Sequence, residues 1–313
     1  MYNGPIIDAH FHYFNIDGFV NVAANAGYVN TNACWQEICK QNNIIMSIAM
    51  GNTHDATIRY GGIAPRLINL ARPFDEENFN QDANVCYCLG VDSELITPDK
   101  IEATAQEFEF YLKQDPIKSH CVGIKLYPGY NSVYVNDKRH WPLFELAKAY
   151  DVPVVIHTGD TSWPHAHLKY SHPMTVDDVA ADFPDVQFVI AHCGCPWFQD
   201  ACEVAAKNAN VAIDLSGLVA GKPKPVHLFL RNAGFFDNLR TWLNYMGDYS
   251  RVMYGSDWPL VNIPLYIQTM AHVVPAEYHE QFFYKNALRI TPRVVIVAYE
   301  AESVMRSGEC GGR

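Results

Sequence analysis

Several side chains that bind metal ions or move protons each stand at the end of a separate short apolar run. In chain order they are His10, His12, Lys125, His157, His192 and Asp257. Imidazole nitrogens and carboxylate oxygens are the ligands that Zn²⁺ takes in proteins. An ion held by three imidazoles and one carboxylate can keep an open position and lower the pKa of its bound water toward neutrality. The residue types therefore indicate a metal enzyme whose ligands are His10, His12, His157 and Asp257.

His10 and His12 form the first half of this expected site. Alternate residues of a strand point to the same face, so both imidazoles would project from one side of the first apolar run. A His-x-His pair alone is weak evidence, because a pair of polar loop residues looks the same in sequence. Its position directly after a buried strand, two residues beyond Asp8, favours a ligand pair.

The elements that position these residues must be parallel strands whose carboxyl ends open onto one site. Eight candidate strands begin roughly 25 to 40 residues apart, which leaves room for a helix in each crossover. They are Ile6–His10, Ile44–Met50, Asn84–Val91, Cys121–Tyr127, Val152–His157, Val186–His192, Val211–Leu215 and Arg251–Ser256. Nearly continuous apolar runs are typical of strands that are covered on both faces. We therefore predict an α/β fold, a (β/α)8 TIM barrel with extra C-terminal helices.

Apolar residues at helical spacing predict the helices between the strands. The segments are Asp99–Lys113, Trp141–Ala149, Val176–Asp182, Cys202–Lys207, Val226–Met246 with a break at Gly234, and Ala276–Leu288. The run Val294–Tyr299 fits either a closing helical turn or a strand. No repeat, low-complexity tract or linker divides the chain, so we expect residues 1–313 to form a single domain. Residues 291–313 would be a C-terminal extension.

Composition narrows the classes of function. The 313 residues are 49% hydrophobic and 18% charged, as in a globular protein with a substantial core. A net charge of −11 argues against a nucleic-acid-binding protein. No apolar stretch reaches the length of about 18 residues that predicts a membrane span. The nine cysteines have neither a zinc-ribbon spacing nor a signal-peptide context, so we expect reduced, mostly buried thiols in a cytoplasmic protein.

The ordered motifs resemble the amidohydrolase superfamily, in particular the amidohydrolase-2 branch that includes carboxymuconate-semialdehyde decarboxylase-like enzymes. The motifs are Ile7–His12, Val155–Gly159, Phe188–Gly194, Asn210–Gly217, Tyr254–Pro259 and Asn286–Ala287. The resemblance covers roughly residues 5–290, and the ordered set is specific although each piece is short. It implies a TIM barrel with a divalent metal ion bound by His10, His12, His157 and Asp257. It also implies that His192 acts beside the metal as a general acid or base.

Lys125 leaves the number of metal ions open. The run Ile124–Pro128 is similar to the strand-four segment of dihydroorotases, in which a carboxylated lysine bridges two metals. In that case His192 would be a ligand of a second ion. The decarboxylases of the closer branch are mononuclear, which favours one ion. A cationic Lys125 that pairs with a substrate anion is a third alternative.

Other residues are candidates for acid–base chemistry and for the substrate pocket. Asp257 could shuttle the proton of the activated water while it stays coordinated to the ion. Tyr127 and Trp163 are expected to wall the pocket, and Arg59 or His54 is expected to reach a substrate carboxylate. Arg59 and His54 could equally be solvated loop residues.

The leading functional hypothesis is a metal-dependent hydrolase, in which a metal-activated water attacks the carbonyl carbon of a small amide, lactone or ester. The alternative is a non-oxidative decarboxylase or a hydratase that uses the same ligands on a small carboxylic acid. A non-catalytic barrel, and a nuclease or phosphoesterase, are less favoured. The first would have little reason to keep every ionisable position, and the second commonly has a carboxylate where this chain has Lys125. The expected partner is a small-molecule substrate, with a homodimer as one expected assembly.

Overall fold

Eight parallel strands, hydrogen-bonded in chain order, form the centre of this protein in a computed structural model. The structure describes residues 2–12, 17–51, 83–224, 233–295 and 297. The strands are β1 (Ile6–Phe11), β2 (Ile44–Met50), β3 (Val85–Gly90), β4 (Cys121–Leu126), β5 (Val154–Ile156), β6 (Phe188–Ile190), β7 (Val211–Asp214) and β8 (Val252–Met253). All eight predicted strands are present.

The sheet closes through hydrogen bonds between β1 and the segment that follows β8. The backbone N–H of Ala9 donates to the carbonyl of Tyr254 at 3.0 Å, and that of Asp257 donates to the carbonyl of His10 at 2.7 Å. The carboxylate of Asp8 adds a side-chain link, since its Oδ1 accepts from the backbone N–H of Ser256 at 2.8 Å. The predicted (β/α)8 TIM barrel is therefore confirmed.

Six of the eight strands end before their predicted boundaries, and β3, β4 and β7 do so by one residue each. β5, β6 and β8 end at Ile156, Ile190 and Met253, one to three residues before the predicted boundaries. At the end of β6 the backbone turns sharply, because His192 adopts a left-handed conformation with φ of 60°. A residue in that conformation cannot continue a parallel ladder. The strands thus end where the residues of the candidate site begin.

Helices fill the crossovers between the strands. They are α1 (Asp17–Ala26), α2 (Asn32–Asn42), α3 (Ile101–Leu112), α4 (Pro116–Ser119), α5 (Trp141–Ala149), α6 (Thr175–Asp182), α7 (Phe198–Lys207), α8 (Ala233–Met246), α9 (Ile263–Val273) and α10 (Asn286–Ile290). A 3₁₀ turn at Ala276–Tyr278 and a π-helical segment at Gln281–Lys285 precede α10. The predicted C-terminal helices are therefore present, with mixed helix types.

Two details of the helix prediction are wrong. Gly234 does not break a helix, because α8 begins at Ala233 and Gly234 lies in its first turn. The first N–H groups of a helix have no intrahelical partner, so a glycine costs less there than in the interior. The predicted part of that helix before Ala233 includes residues 226–232, which lie outside the described residues. The helices α1, α2, α4 and α9 were not predicted.

Side chains alternate between the barrel interior and the layer under the helices. Along β5, Val155 belongs to an inner buried cluster and Val154 to an outer one. Along β7, Ala212 belongs to the inner cluster and Ile213 to the outer one. Since the period of a strand is two residues, the next inward positions after Val155 and Ala212 are His157 and Asp214.

The eight cysteines of the described residues are free thiols, and six of them are buried. The prediction of reduced, mostly buried thiols is thus confirmed for these eight. In the described ranges, no helix combines the length and the apolar character that a membrane span requires. The assignment of residues 1–313 to a single domain stays a prediction.

Candidate metal centre

His10, His12 and Asp257 meet at the carboxyl end of the barrel. Each offers one possible ligand atom, and these atoms lie within 4.8 Å of one another. Oδ1 of Asp257 lies 3.1 Å from Nε2 of His12 and 3.7 Å from Nε2 of His10. Two ligands of one tetrahedral zinc ion, each about 2.0–2.1 Å from the metal, lie about 3.3 Å apart. The spacing of the three side chains therefore fits a small divalent cation.

The protonation of His10 also fits a ligand. Its ring is fully buried, and burial, with the nearby charge of Lys125, lowers the pKa of His10 to about 3. Nδ1 of this neutral ring lies 2.9 Å from Oδ2 of Asp214. A carboxylate only accepts hydrogen bonds, so Nδ1 carries the proton and Nε2 keeps a lone pair. Within the described residues that Nε2 has no hydrogen-bond partner, as expected of an atom that faces a metal.

Asp214, the last residue of β7, is the most highly connected carboxylate of the site. It is 1% exposed. Its Oδ1 accepts from the backbone N–H groups of His192 at 3.0 Å and Ser216 at 3.1 Å, and from the Ser216 hydroxyl. Burial alone would raise the pKa of Asp214, but the charges and hydrogen bonds of His10, His192 and Ser216 hold it well below its usual range.

His192 presents one nitrogen to Ser216. Its Nδ1 lies 2.8 Å from the Ser216 hydroxyl oxygen and 3.2 Å from the Ser216 carbonyl oxygen. Because a carbonyl can only accept, Nδ1 carries the proton in the neutral ring. Burial lowers the pKa of His192, which favours this neutral form. The lone pair on Nε2 is then able to accept a proton.

The backbone of the site is held in uncommon conformations. His192, Cys193 and Asp257 have φ angles of 60°, 48° and 61°. Left-handed backbone at a non-glycine residue costs of the order of 1–3 kcal/mol and concentrates at functional sites. The hydrogen bond from the His192 backbone N–H to Asp214 supports one of these turns.

His157 is buried beside the cluster, and its ring centroid lies 5.0 Å from that of His192. Its Nε2 donates to the carbonyl of Asp160 at 3.1 Å, which leaves Nδ1 as the lone-pair nitrogen of the neutral ring. Burial holds the pKa of His157 well below its usual value, and the charges of His192 and Lys125 act in the same direction. The two candidate metal-binding groups of the described residues are His10–His12–Asp257 and His10–His192–Asp214, and His157 belongs to neither.

Lys125 is completely buried at the end of β4. Its ammonium nitrogen has no hydrogen-bond partner within the described residues and lies 5.2 Å from the centre of the Tyr127 ring. Burial lowers the pKa of Lys125 to about 8, although Asp214 and Asp257 act in the opposite direction. An uncompensated buried amine of this kind is costly unless an anion or another partner reaches it.

The predicted pocket residues differ in their positions relative to the site, and two of them are not described by the structure. Tyr127 is buried beside the site and its hydroxyl donates to the carbonyl of Gly51 at 2.7 Å. Trp163 is half-buried and packs edge-to-face on His165 of its own loop, with ring centres 5.4 Å apart. Its role in the pocket stays a prediction. Arg59 and His54 lie outside the described residues.

Sequence reasoning missed three residues that contact the predicted set. Asp214 ends the apolar run Val211–Ile213, the same signal that singled out the other strand-end residues, so it could have been found. Ser216 follows two residues later and had no signal beyond that proximity. Tyr130 lies in the loop after β4, with its ring 4.8 Å from that of His157 and its hydroxyl 3.1 Å from that of Ser162. Nothing in the sequence marks this loop tyrosine.

Comparison with known proteins identifies related sequences and folds. A family model described as Amidohydrolase matches residues 95–292. No curated protein sequence matches the chain.

Several solved structures are similar to this fold. An uncharacterised TIM-barrel protein from Bordetella bronchiseptica is 18% identical, with 93% of this chain and 99% of that chain covered and a TM-score of 0.66. A probable 2-pyrone-4,6-dicarboxylic acid hydrolase from Acinetobacter baumannii, with citric acid bound, is 14% identical over 92% of this chain and 100% of its own, with a TM-score of 0.57. The 5-carboxyvanillate decarboxylase of Sphingomonas paucimobilis is 14% identical over 92% and 99%, with a TM-score of 0.56. At these identities the likeness shows a shared fold.

Proposed function

The chain belongs to the amidohydrolase family whose model matches it, and on that premise we propose that it is a metal-dependent hydrolase of a small amide, lactone or ester. The observation that carries the proposal is the buried Nε2 of His10, which lacks a hydrogen-bond partner among the described residues and lies 3.7 Å from Oδ1 of Asp257. A lone pair and a carboxylate oxygen at this spacing form a good site for a cation and a poor one for any other occupant.

The proposed ligands are His10, His12, His157 and Asp257. His10 and His157 each direct one N–H to a protein oxygen, which leaves the other nitrogen able to coordinate. A set of imidazoles and a carboxylate suits Zn²⁺, and we propose one ion per chain. When bound, the ion supplies Lewis acidity, which polarises a carbonyl group and acidifies water.

His192 is the proposed general base and acid. Its Nε2 accepts the proton that the attacking water loses as the new C–O bond forms. The same proton then passes to the leaving nitrogen or oxygen as the scissile bond breaks. Asp257 is the second proposed catalytic residue: one of its oxygens lies 3.9 Å from Nδ1 of His192, where its charge would stabilise the imidazolium that forms when Nε2 takes the proton. Tyr127 and Trp163, with Arg59, are the proposed pocket residues.

A second candidate, non-oxidative decarboxylation, is favoured by one observation. The buried amine of Lys125 lacks a partner among the described residues, and a substrate carboxylate would supply one. The 5-carboxyvanillate decarboxylase shares the fold. In this alternative His192 would protonate the carbon from which carbon dioxide leaves. Hydrolysis remains the proposed activity because His192 and the ligand set provide for the activation of water.

Assembly and location belong to the same proposal. A homodimer is the proposed assembly. The free thiols of the described cysteines suit a reducing compartment, which supports a cytoplasmic location.

The test is a substrate panel with zinc-reconstituted protein and two histidine variants. Lactones, amides, esters and aromatic carboxylates are assayed for acid release and for carbon dioxide. We expect acid release, and we expect His192→Asn to lower kcat by about 10²–10⁴-fold with zinc retained. Asparagine tolerates the left-handed backbone of His192. His120→Asn is the matched control, because His120 has a φ of 53° and its ring bonds the carbonyl of Val85 away from the site.

Carbon dioxide release without hydrolysis of any lactone, amide or ester would replace the proposed activity with the second candidate. A wild-type protein that binds no zinc after reconstitution would contradict both.

A further inference from the structure

The carboxylate of Asp214 contacts two histidines that have different roles in the proposed function: His10, a metal ligand, and His192, the acid–base group. Oδ2 of Asp214 lies 2.9 Å from Nδ1 of His10, and Oδ1 receives the backbone N–H of His192 at 3.0 Å. The same Oδ1 also receives the backbone N–H and the hydroxyl of Ser216. Both carboxylate oxygens of Asp214 therefore have hydrogen-bond partners. The backbone N–H groups and the hydroxyl can only donate to them.

The proton of each imidazole follows from this arrangement. At His10 the carboxylate accepts, so the proton is on Nδ1 and the lone pair is on Nε2. At His192 the control is indirect: the Ser216 hydroxyl donates to Asp214, so its oxygen accepts from Nδ1 of His192 at 2.8 Å, beside the Ser216 carbonyl oxygen at 3.2 Å. The lone pair of His192 is again on Nε2.

Asp214 could instead be a metal ligand, since His10, His192 and Asp214 offer atoms within 4.8 Å of one another. Its hydrogen bonds argue against this. Three donors occupy Oδ1, and the imidazole of His10 occupies Oδ2. A cation could therefore bind Asp214 only beside or in place of these hydrogen bonds.

We infer that Asp214 is a positioning residue that sets the ring tautomers of two histidines, that of His10 directly and that of His192 through Ser216. Asp214, at the end of β7, would thereby leave a lone pair on Nε2 of His10 for metal binding and on Nε2 of His192 for proton transfer. The inference rests on the proposed function for the two tasks, but the tautomers themselves are properties of the metal-free chain.

The variant Asp214→Asn tests the effect of Asp214 on the tautomer of His10 separately from its effect on His192. An asparagine must place its carbonyl oxygen where Oδ1 receives three donors, so its NH₂ faces Nδ1 of His10. Two donors cannot face each other, and the proton of His10 is forced to Nε2, where it blocks coordination. We therefore expect His10 to change tautomer in Asp214→Asn, while His192 keeps its own. Ser216→Ala leaves only the backbone carbonyl of residue 216 to accept from Nδ1 of His192, so we expect a larger fraction of the Nε2–H tautomer of His192 and no change at His10.

The measurement is long-range ¹H–¹⁵N spectroscopy of the histidine rings in ¹⁵N-labelled, metal-free full-length protein. Zinc binding, by competition with a chelator, is a second readout. Asp214→Asn should weaken zinc binding by about 10- to 100-fold, the usual effect of removing the group that orients a ligand. Ser216→Ala should bind zinc as the wild type does. Asp248→Asn is the control for loss of a carboxylate, because Asp248 pairs with Arg251 at the start of β8, at the opposite end of that strand from Asp257.

The outcomes separate this inference from the proposed function. A wild-type spectrum with the His10 proton on Nε2 overturns the inference without any variant, as does an Asp214→Asn protein with unchanged His10 tautomer and zinc affinity. A wild type with the expected tautomers and no affinity for zinc would contradict the proposed function alone. If Asp214→Asn fails to fold, the wild-type spectrum still tests the tautomer expected for His10, and the Ser216→Ala spectrum still tests the link to His192.

Discussion

Gly217 lies against the carboxylate of Asp257: a Cβ on Gly217 would be 2.5 Å from Oδ2 and 3.2 Å from Cγ. The glycine follows β7 and the aspartate follows β8, so the contact joins two neighbouring strand ends at the candidate metal centre. No side chain larger than hydrogen fits there unless Asp257 moves.

Gly217→Ala should therefore displace Asp257 and weaken zinc binding by about 10- to 100-fold, a loss typical of disturbing the support of a ligand. Zinc titration against a chelator measures it. Gly221→Ala is the matched control, because Gly221 also has positive φ (75° against 68°) but its nearest neighbouring atom would be 3.6 Å from the new Cβ. Equal losses of affinity in both variants would mean that backbone strain, and not the collision with Asp257, is responsible.

Removal of the proposed ligands should separate metal binding from acid–base chemistry. His157→Ala and Asp257→Ala are each expected to lose zinc, because each removes one of the four proposed ligands. His192→Asn should keep the wild-type stoichiometry. Metal analysis of the three purified proteins, with His120→Asn alongside, measures this. A His192 variant with half of the wild-type metal would instead indicate two ions, with His192 as a ligand of the second.

Lys125→Met tests the role of the buried amine. We expect the zinc content to stay at the wild-type level, since one ion is proposed and Lys125 is not among its ligands. We expect KM to rise by about 10-fold or more for substrates that carry a carboxylate, the effect of losing a hydrogen bond between charged groups. Lys148→Met, at an exposed lysine paired with Asp185, is the control. A fall from two zinc ions to one in Lys125→Met, with the wild type dependent on bicarbonate, would show a carboxylated bridging lysine.

His140 should make the fold sensitive to acid. It is buried, with Nε2 2.8 Å from the Ser93 hydroxyl oxygen and Nδ1 3.0 Å from the Val135 carbonyl, and burial lowers its pKa from 6.5 to about 4. Between these two values the unfolded chain binds a proton that the folded protein does not, so this contribution to stability is present above pH 6.5 and is lost as the pH falls toward 4.

The loss assigned to His140 between pH 7 and pH 5 is about 2 kcal/mol. Urea unfolding of the wild type and of His140→Gln at both values measures it. The wild type should lose more free energy of unfolding than the variant over this interval, while the other histidines contribute equally to both proteins. Parallel losses would exclude His140 as the source of the acid sensitivity.

The strands could be predicted because each is a buried apolar run ended by a polar residue. Val154–Ile156 before His157 and Phe188–Ile190 before His192 are direct examples. The helices α1 and α2 gave weaker patterns, whereas α9 has buried apolar residues at helical spacing, Ile263, Tyr266, Ile267 and Met270, which sequence reasoning missed. The helix α2, for example, is polar on average and buries only Trp35, Ile38 and Cys39. With so few buried residues, no continuous apolar stripe marks its inner face.

The geometry within the candidate site was less accessible to sequence. His10 and Asp257 lie close together, as their positions at strand ends suggest, whereas the complete burial of Lys125 was not predicted. The pairing of His10 with Asp214 joins residues 204 positions apart, and no local pattern encodes a hydrogen bond between two strand ends on opposite parts of the chain. Tyr130 was out of reach for a different reason: it belongs to a loop, whose path depends on the elements it crosses.

The barrel closes between its first strand and the segment after its last one, and this order has a consequence during synthesis on the ribosome. The imidazoles of His10 and His12 emerge well before Asp257, because more than two hundred residues separate them in the chain. A nascent chain thus exposes two imidazoles without their carboxylate and has little means of discriminating among the divalent ions of the cell. We expect selection of the ion to be a property of the finished, released protein.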